Sequence, residues 1–237
     1  MKIHRFLGLF FLTDPEEDIE DAGTIHQITR VLRLHEGSRI ILGNMKGKEA
    51  LCEISEVGEF NIRVKILEVK TITRELPREV SLFCSVLKGS NMDLVVQKAT
   101  ETGVSFIIPI TTAYTVKPSI RKDRLEKIAK EATEQSGRGT VPQILSPIPF
   151  AEAITLFQGD LMLFFDPSGE RIPQDKVSVA KHVGVFVGPE GGWTQEEISL
   201  AKERLAIVCS LGPLVLRAET AAIIAPYLAL SLPPMVS

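Results

Sequence analysis

Glu190, Arg217 and Glu219 are the side chains of this sequence whose types and setting could do chemistry together. Glu190 stands in Gly188-Pro189-Glu190-Gly191-Gly192-Trp193; Arg217 and Glu219 stand in the stretch from Leu211 to Ala221, LGPLVLRAETA. A carboxylate can accept a proton and a guanidinium can stabilise a developing anion. Each stretch follows a short apolar run, Val183–Val187 or Ala206–Leu211, and passes through a Gly/Pro turn into a segment that reads as helix. Glycines there let backbone N–H and C=O groups approach a ligand with no Cβ in the way. Two neighbouring strand ends of this kind form a crevice, and such crevices are where α/β sheets hold ligands. Two turns without a ligand remain the alternative; the three charged residues on them favour a site. The pattern is neither G-x-G-x-x-G nor a Walker A loop, so dinucleotide and nucleoside-triphosphate fingerprints are missing.

The elements that must position these turns follow from periodicity. Beyond residue 72 the sequence alternates strands and helices. Strand candidates are Ser81–Leu87, Val104–Ile110, Asp160–Phe165, Val183–Val187 and Ala206–Leu211. Runs this apolar suit a parallel sheet covered by helices on both faces. Helices are expected at Asn91–Thr102, with Asn91 as N-cap, Leu94, Val95 and Ala99 inward and Gly103 at the exit. A second is expected at Arg121–Ser136, stopped by Gly137. Thr194-Gln195-Glu196-Glu197 reads as a capping box, with Ile198, Ala201 and Leu205 on the face behind it. The last helix, about Ala218–Leu232, is apolar almost all round, which suggests burial and a dimer contact; Pro226 should kink it or delay its start.

Residues 1–72 read differently, as short strands with Gly turns and one helix over His26–Leu34, with Ile28, Val31 and Leu32 on one face. A small β-barrel is the expectation, giving domains of 1–72 and 73–237 joined by a polar linker at Lys70–Arg78 that includes Pro77. The apolar run Phe6–Leu12 imitates a signal peptide but meets Asp14-Pro15-Glu16 with no small-residue cleavage site, so a first strand is expected.

Composition narrows the function classes. A chain of 237 residues with 44% hydrophobic and 24% charged residues is ordinary for a globular protein. A net charge of −3 gives no global pull toward nucleic acid, so any RNA contact must come from a local patch. The densest basic cluster is Lys117, Arg121, Lys122, Arg124, Lys127, Lys130 and Arg138, seven cations against four carboxylates. A solvated helix face with pairs such as Glu126–Lys130 is the plainer reading, and phosphate contact the sharper one. In residues 1–72, twelve acidic side chains outweigh ten basic ones. Cys52, Cys84 and Cys209 lie in apolar runs without metal-ligand spacing and read as buried reduced thiols of a cytosolic protein; no metal site and no membrane span is expected.

GPEGGW followed by LGPLVLRAETA resembles the C-terminal signature of the RsmE family, 16S ribosomal RNA uridine-N3 methyltransferases of the SPOUT superfamily. Lys88–Val104 resembles the family's K-G-x-x-M-D-x-x-x-Q-K-A-T-E-x-G-V, Glu131–Pro142 its E-A-x-E-Q-x-x-R-x-x-V-P, and His26 with Arg30–Leu34 its H-x-x-x-V-L-R-x. Two departures stand in the last motif, Leu214 where Arg is usual and Ala218 where Thr is usual. The first weakens any claim to a second active-site arginine.

The resemblance implies an α/β fold: a C-terminal parallel-sheet domain with a trefoil knot, plus a small N-terminal PUA-like β-barrel. It implies a cytoplasmic homodimer that uses S-adenosyl-L-methionine on 16S ribosomal RNA within a small-subunit particle. Phe165, Asp166 and Pro167 would line the cofactor pocket with Gly188, Pro189, Glu190 and Gly191. Leu211, Gly212, Leu214 and Leu216 would complete it, mostly through backbone groups and apolar side chains. Arg217 would act on the uracil, with Glu190 or Glu219 as proton acceptor; helix capping is the alternative role of Glu219. RNA contacts would come from Arg30 and Arg33, from Lys88, Arg121 and Arg124, and from Gln135 and Arg138. A methyltransferase with another RNA target, and a non-catalytic RNA-binding module, remain open at this point.

Overall fold

The computed structural model describes residues 3–72, 76, 78–115 and 120–232. Lys117, Pro77 and residues 73–75 of the expected linker lie outside them. The chain divides into two compact units, one of Met1–Glu75 with Thr133–Val141, the other of Leu76–Ala132 with Pro142–Ser237.

The first unit is built on a five-stranded sheet. Its strands are β1 (His4–Leu7), β2 (Glu16–Ile19), β3 (Arg39–Gly43), β4 (Lys48–Val57) and β5 (Ile62–Thr71), in the order β1-β3-β4-β5-β2. Only β1–β3 is parallel; the other pairings are antiparallel. Alternation puts Ile40, Leu42, Ala50, Cys52, Ile54, Ile62 and Val64 on one face, where they form the core with Phe6, Ile19 and Ile28. The expected helix differs in place and phase. It starts earlier as α1 (Ala22–His26), capped by Asp21, and continues as a π-helical turn over Gln27–Val31. A π turn takes more residues per revolution than an α turn, so Ile28 is buried while Val31 is rotated outward and is 64% exposed. No pattern in the residues signals that Thr133–Val141 belongs with this unit, where Glu134 Oε1 accepts the Leu7 N–H at 2.8 Å.

The second unit is the expected alternation of strands and helices. Its strands are β6 (Glu79–Ser85), β7 (Phe106–Thr111), β8 (Gln143–Ile144), β9 (Ile148–Pro149), β10 (Leu161–Glu170), β11 (His182–Val187) and β12 (Ile207–Cys209). They form one sheet in the order β12-β10-β11-β6-β7-β8, with β9 also on β7, and every pairing is parallel. The helices are α2 (Asn91–Thr102), α3 (Lys122–Ser136, its last turn in the first unit), α4 (Phe150–Leu156), α5 (Gln174–Val179), α6 (Gln195–Glu203) and α7 (Ala218–Ser231). Periodicity missed α4 and α5, each too short to show two turns of pattern.

Three details of these helices depart from expectation. Ser90, not Asn91, is the N-cap of α2, and its inward face is Met92, Val95, Val96 and Ala99. Leu94 is 39% exposed, because the face is one step out of phase with the expected one. Leu205 lies past the end of α6 with φ +62° and is exposed. α7 runs through Pro226 and buries Ala218, Ala222, Ala225, Pro226, Ala229 and Leu230, while Tyr227 is exposed. Its end is held by buried Arg78, whose guanidinium donates to the carbonyls of Ala229 (2.6 Å), Leu232 (2.9 Å) and Ala180 (2.8 Å).

The three cysteines are free and buried. Burial pushes the Cys52 and Cys84 thiols up to about 12 and the Cys209 thiol up to about 11. In the unfolded chain a thiol gives up its proton near pH ~8.5. Above that pH the unfolded state therefore sheds protons that the native state keeps. The thiol contribution to stability is flat at neutral pH and falls as pH rises toward the native values, by about 1.4 kcal/mol per pH unit for each thiol. Urea unfolding of Cys52→Ala between pH 9 and 10.5 is expected to show a shallower loss of stability with pH than the parent; equal slopes would contradict the assignment.

Candidate functional site

Four segments meet at the carboxyl ends of β10, β11 and β12 and enclose a cleft of about 480 Å³. They are the outer part of β10 (Phe165–Pro167), the turn after β11 (Gly188–Trp193), the loop after β12 (Ser210–Arg217) and the first turn of α7. The size lies within the range of small-molecule sites, ~300–1,000 Å³.

Trp193 sets the shape of the turn after β11. Its ring packs on Phe164 (centroids 4.3 Å apart) and Phe150 (5.0 Å), and its Nε1–H donates to the Phe165 carbonyl at 2.9 Å. The chain must pass over this indole, and a Cβ on Gly188 would stand 2.9 Å from it, too close for any other residue. Gly192 takes φ +75° to close the turn, with its N–H on the Pro189 carbonyl at 2.9 Å. The expected capping box follows at once: Thr194 Oγ1 accepts the Glu197 N–H, and Glu197 Oε2 accepts the Thr194 N–H. Glu197 Oε1 also accepts the Ala113 N–H at 3.0 Å, which fixes the loop carrying Tyr114 beside Gly191.

β10 shapes the opposite wall. Phe165 pairs with Cys209, the chain bows out over residues 166–169, and Glu170 returns to the same Cys209. Asp166 Oδ1 holds the bow by accepting the Ser168 N–H (2.9 Å) and hydroxyl (2.6 Å). Beyond β12, Gly212 takes φ +124°, and its N–H donates to Ser210 Oγ. Leu214 and Val215 on this loop are exposed.

The cleft brings together Phe165, Asp166, Pro167, Gly188, Pro189, Glu190, Leu211, Leu214, Leu216, Arg217 and Glu219. Gly191 and Gly212 sit within the same two loops, in each case next to a lining residue. The Arg217 side chain is 86% exposed, and its Nη1 lies 3.9 Å from Oε1 of Glu219, which is 12% exposed. Glu190 is exposed at the rim, with Oε1 3.4 Å from the Lys88 N–H. Asn91, Ser210 and Cys209 also line the cleft, and sequence reasoning did not place them there. Asn91 was hidden because it reads as a helix cap. The raised Cys209 thiol is neutral near pH 7 and so is no nucleophile, its proton retained through burial and then the Glu170 charge. Among the described residues no group of three His, Cys, Asp or Glu could hold a metal ion.

The basic candidates fall in separate places. In the second unit Lys88, Arg121 and Arg124 are exposed. Arg121 is paired with Asp123 at 2.9 Å and Arg124 with Asp93 at 2.8 Å. In the first unit Arg30, Arg33 and Gln135 are exposed, whereas Arg138 is only 8% exposed and does not present its guanidinium on a rim. Intrahelical pairs on α3 include Lys122–Glu126 and Lys127–Glu131.

Trp193→Phe keeps an aromatic side chain, though a smaller one, and leaves the buried Phe165 carbonyl without its donor, which should cost about 1–3 kcal/mol. Thermal unfolding is expected to fall by several degrees; an unchanged midpoint would show that the bond does not hold the two loops.

A family model for an RNA methyltransferase domain matches residues 74–229, and one for an RNA methyltransferase PUA domain matches residues 21–67. The ribosomal RNA small subunit methyltransferase E of Bacillus subtilis is 30% identical, over 90% of this chain and 91% of that protein. The protein of the same name from Rickettsia conorii is 33% identical over 85% of this chain and 84% of its own. A crystal structure of the Neisseria gonorrhoeae ribosomal RNA small subunit methyltransferase E bound to S-adenosyl methionine superposes with a TM-score of 0.84 at 28% identity. It covers 94% of this chain and 95% of that one.

Proposed function

This chain belongs to the ribosomal RNA small subunit methyltransferase E family, and from that premise we propose that it methylates N3 of a uridine in 16S ribosomal RNA with S-adenosyl-L-methionine. The observation that carries the proposal is the cleft itself, in which two glycine-bearing strand ends stand beside Glu190, Arg217 and Glu219. Its walls suit the cofactor. Leu211, Leu214 and Leu216 offer an apolar slot for an adenine ring, while the open backbone from Gly188 to Gly192 offers donors and acceptors for its edge.

When bound, the cofactor supplies an electrophilic methyl group on a sulfonium. Uracil N3 carries a hydrogen at neutral pH and is a poor nucleophile until that proton leaves. Glu190 takes it in this reading, since Glu219 already faces Arg217. Arg217, with its exposed side chain at the head of α7, reaches a uracil oxygen and stabilises the anion that forms. With its proton gone, N3 would offer the electron pair that takes the methyl group as the carbon–sulfur bond gives way, and the charges of sulfonium and anion would be lost together. Holding the reacting atoms in line contributes roughly 7–11 kcal/mol. The uridine enters unpaired or flipped out, because N3 is the pairing edge of the base.

Lys88, Arg121 and Arg124 supply phosphate contacts in one unit, Arg30, Arg33 and Gln135 in the other. The half-covered apolar face of α7, with Tyr227, supports a homodimer. No helix of the described residues is long and apolar enough to cross a membrane. Its place of action is the cytoplasm, on small-subunit particles, and the loops after β11 and β12 form the trefoil knot of the superfamily.

Mass spectrometry of 16S ribosomal RNA from cells with and without the protein is expected to show one N3-methyluridine lost on deletion; an unchanged pattern would overturn the reading. Arg217→Ala and Glu190→Gln should each lower kcat by about 10²-fold with cofactor affinity retained. If Glu219→Gln is the inactive variant and Glu190→Gln is active, the two carboxylates exchange roles.

A further inference from the structure

The carboxyl edge of the parallel sheet carries a second cavity, of about 290 Å³, beside the cleft. Its floor is apolar, formed by the buried side chains of Val86, Leu87, Met92 and Leu125. Its rim carries two guanidinium groups and one carboxylate, Arg121, Arg124 and Asp93, with Arg121 also paired to Asp123. Ser90 and Met92 face this cavity, while Asn91 between them faces the cleft. Consecutive Cα atoms lie about 3.8 Å apart, so the wall separating the two spaces is the first turn of α2 alone.

We propose that this cavity receives the nucleotide next to the target uridine, its base on the apolar floor and its phosphate at Arg121 and Arg124. The inference rests on the methyltransferase reading above and adds the path of the RNA strand to it. Flipping one base out of a strand leaves its neighbour without a stacking partner. An apolar platform restores that contact for any base, because every base has a flat π-face. The volume lies at the low end of the range for ligand sites, ~300 Å³, which suits one base and not a second cofactor. Arg124 is already oriented for the task. Its Nε and Nη2 both donate to Asp93 Oδ2, at 2.9 and 2.8 Å, while the side chain is 60% exposed. A guanidinium has five N–H donors, so others remain for a phosphate.

The test uses the whole protein with small-subunit particles that lack the methyl group. Ser90 is exposed and makes no side-chain bond to its helix, so Ser90→Phe fills the cavity without breaking a contact of the fold. Losing one base-stacking contact corresponds to about a tenfold rise in KM. The expected result is that rise, with kcat within twofold and calorimetric affinity for S-adenosylmethionine unchanged. Chemical probing should show the base adjacent to the methylated uridine protected by the parent protein and unprotected by Ser90→Phe. Arg121→Ala should raise KM as well and flatten its salt dependence by about one phosphate contact. Methylation with unaltered KM and protection in Ser90→Phe would overturn the cavity assignment and leave the methyltransferase reading standing. Lost cofactor affinity in Ser90→Phe would also overturn it, since the two spaces would then be one. A parent protein that binds S-adenosylmethionine but methylates no particle would sink the underlying reading instead.

Discussion

A buried indole N–H must find an acceptor, and in this protein the acceptor of Trp193 is the carbonyl of Phe165 on the neighbouring strand. That single bond couples the chain's exit from β11 to its exit from β10. The ring, wedged against Phe164 and Phe150, fills the space beneath the turn. Once the ring is there, position 188 can carry no side chain, and Gly188, Pro189, Glu190 and Gly192 of the turn line the cleft. Thr194 and Glu197 then begin α6 one residue later, so the turn is anchored on both sides. A fixed, glycine-lined edge is what an adenine-bearing ligand requires, and here it is a consequence of packing an aromatic ring.

The chemistry on that edge comes from elements of opposite character. The turn after β11 is anchored by the indole and the capping box, whereas the loop after β12 exposes Leu214 and Val215 and leaves Arg217 reaching into solvent. A rigid wall can hold the methyl donor in position, while a guanidinium on an open loop can meet a base that arrives later. The thiols beneath stay protonated near neutral pH. Cys84 lies fully buried near Glu190, and burial, reinforced by that carboxylate, keeps it protonated.

Much of this was legible in the residues. Glycines after two apolar runs and a capping box gave the strand ends, the turn and the start of α6. Other features lay beyond sequence because tertiary contacts decided them. A π turn rephased the first helix and turned Val31 outward. The inward face of α2 was set by its packing on α7, which left Leu94 out and Asn91 in the cleft. Arg138 reads as a surface cation, yet it is buried, in a segment that belongs with the first unit. Pattern reports what a segment prefers, and these positions were fixed by what the segment meets.

Isothermal titration of S-adenosylmethionine into the parent protein and into Gly188→Ala tests the cleft most directly. The account predicts one binding event per chain for the parent and, because the added methyl collides with the Trp193 ring, affinity reduced at least about tenfold in the variant, some 1.4 kcal/mol. Equal affinities would show that the edge shaped by Trp193 does not hold the cofactor. No heat with the parent protein would show that this cleft is not a methyl-donor site at all.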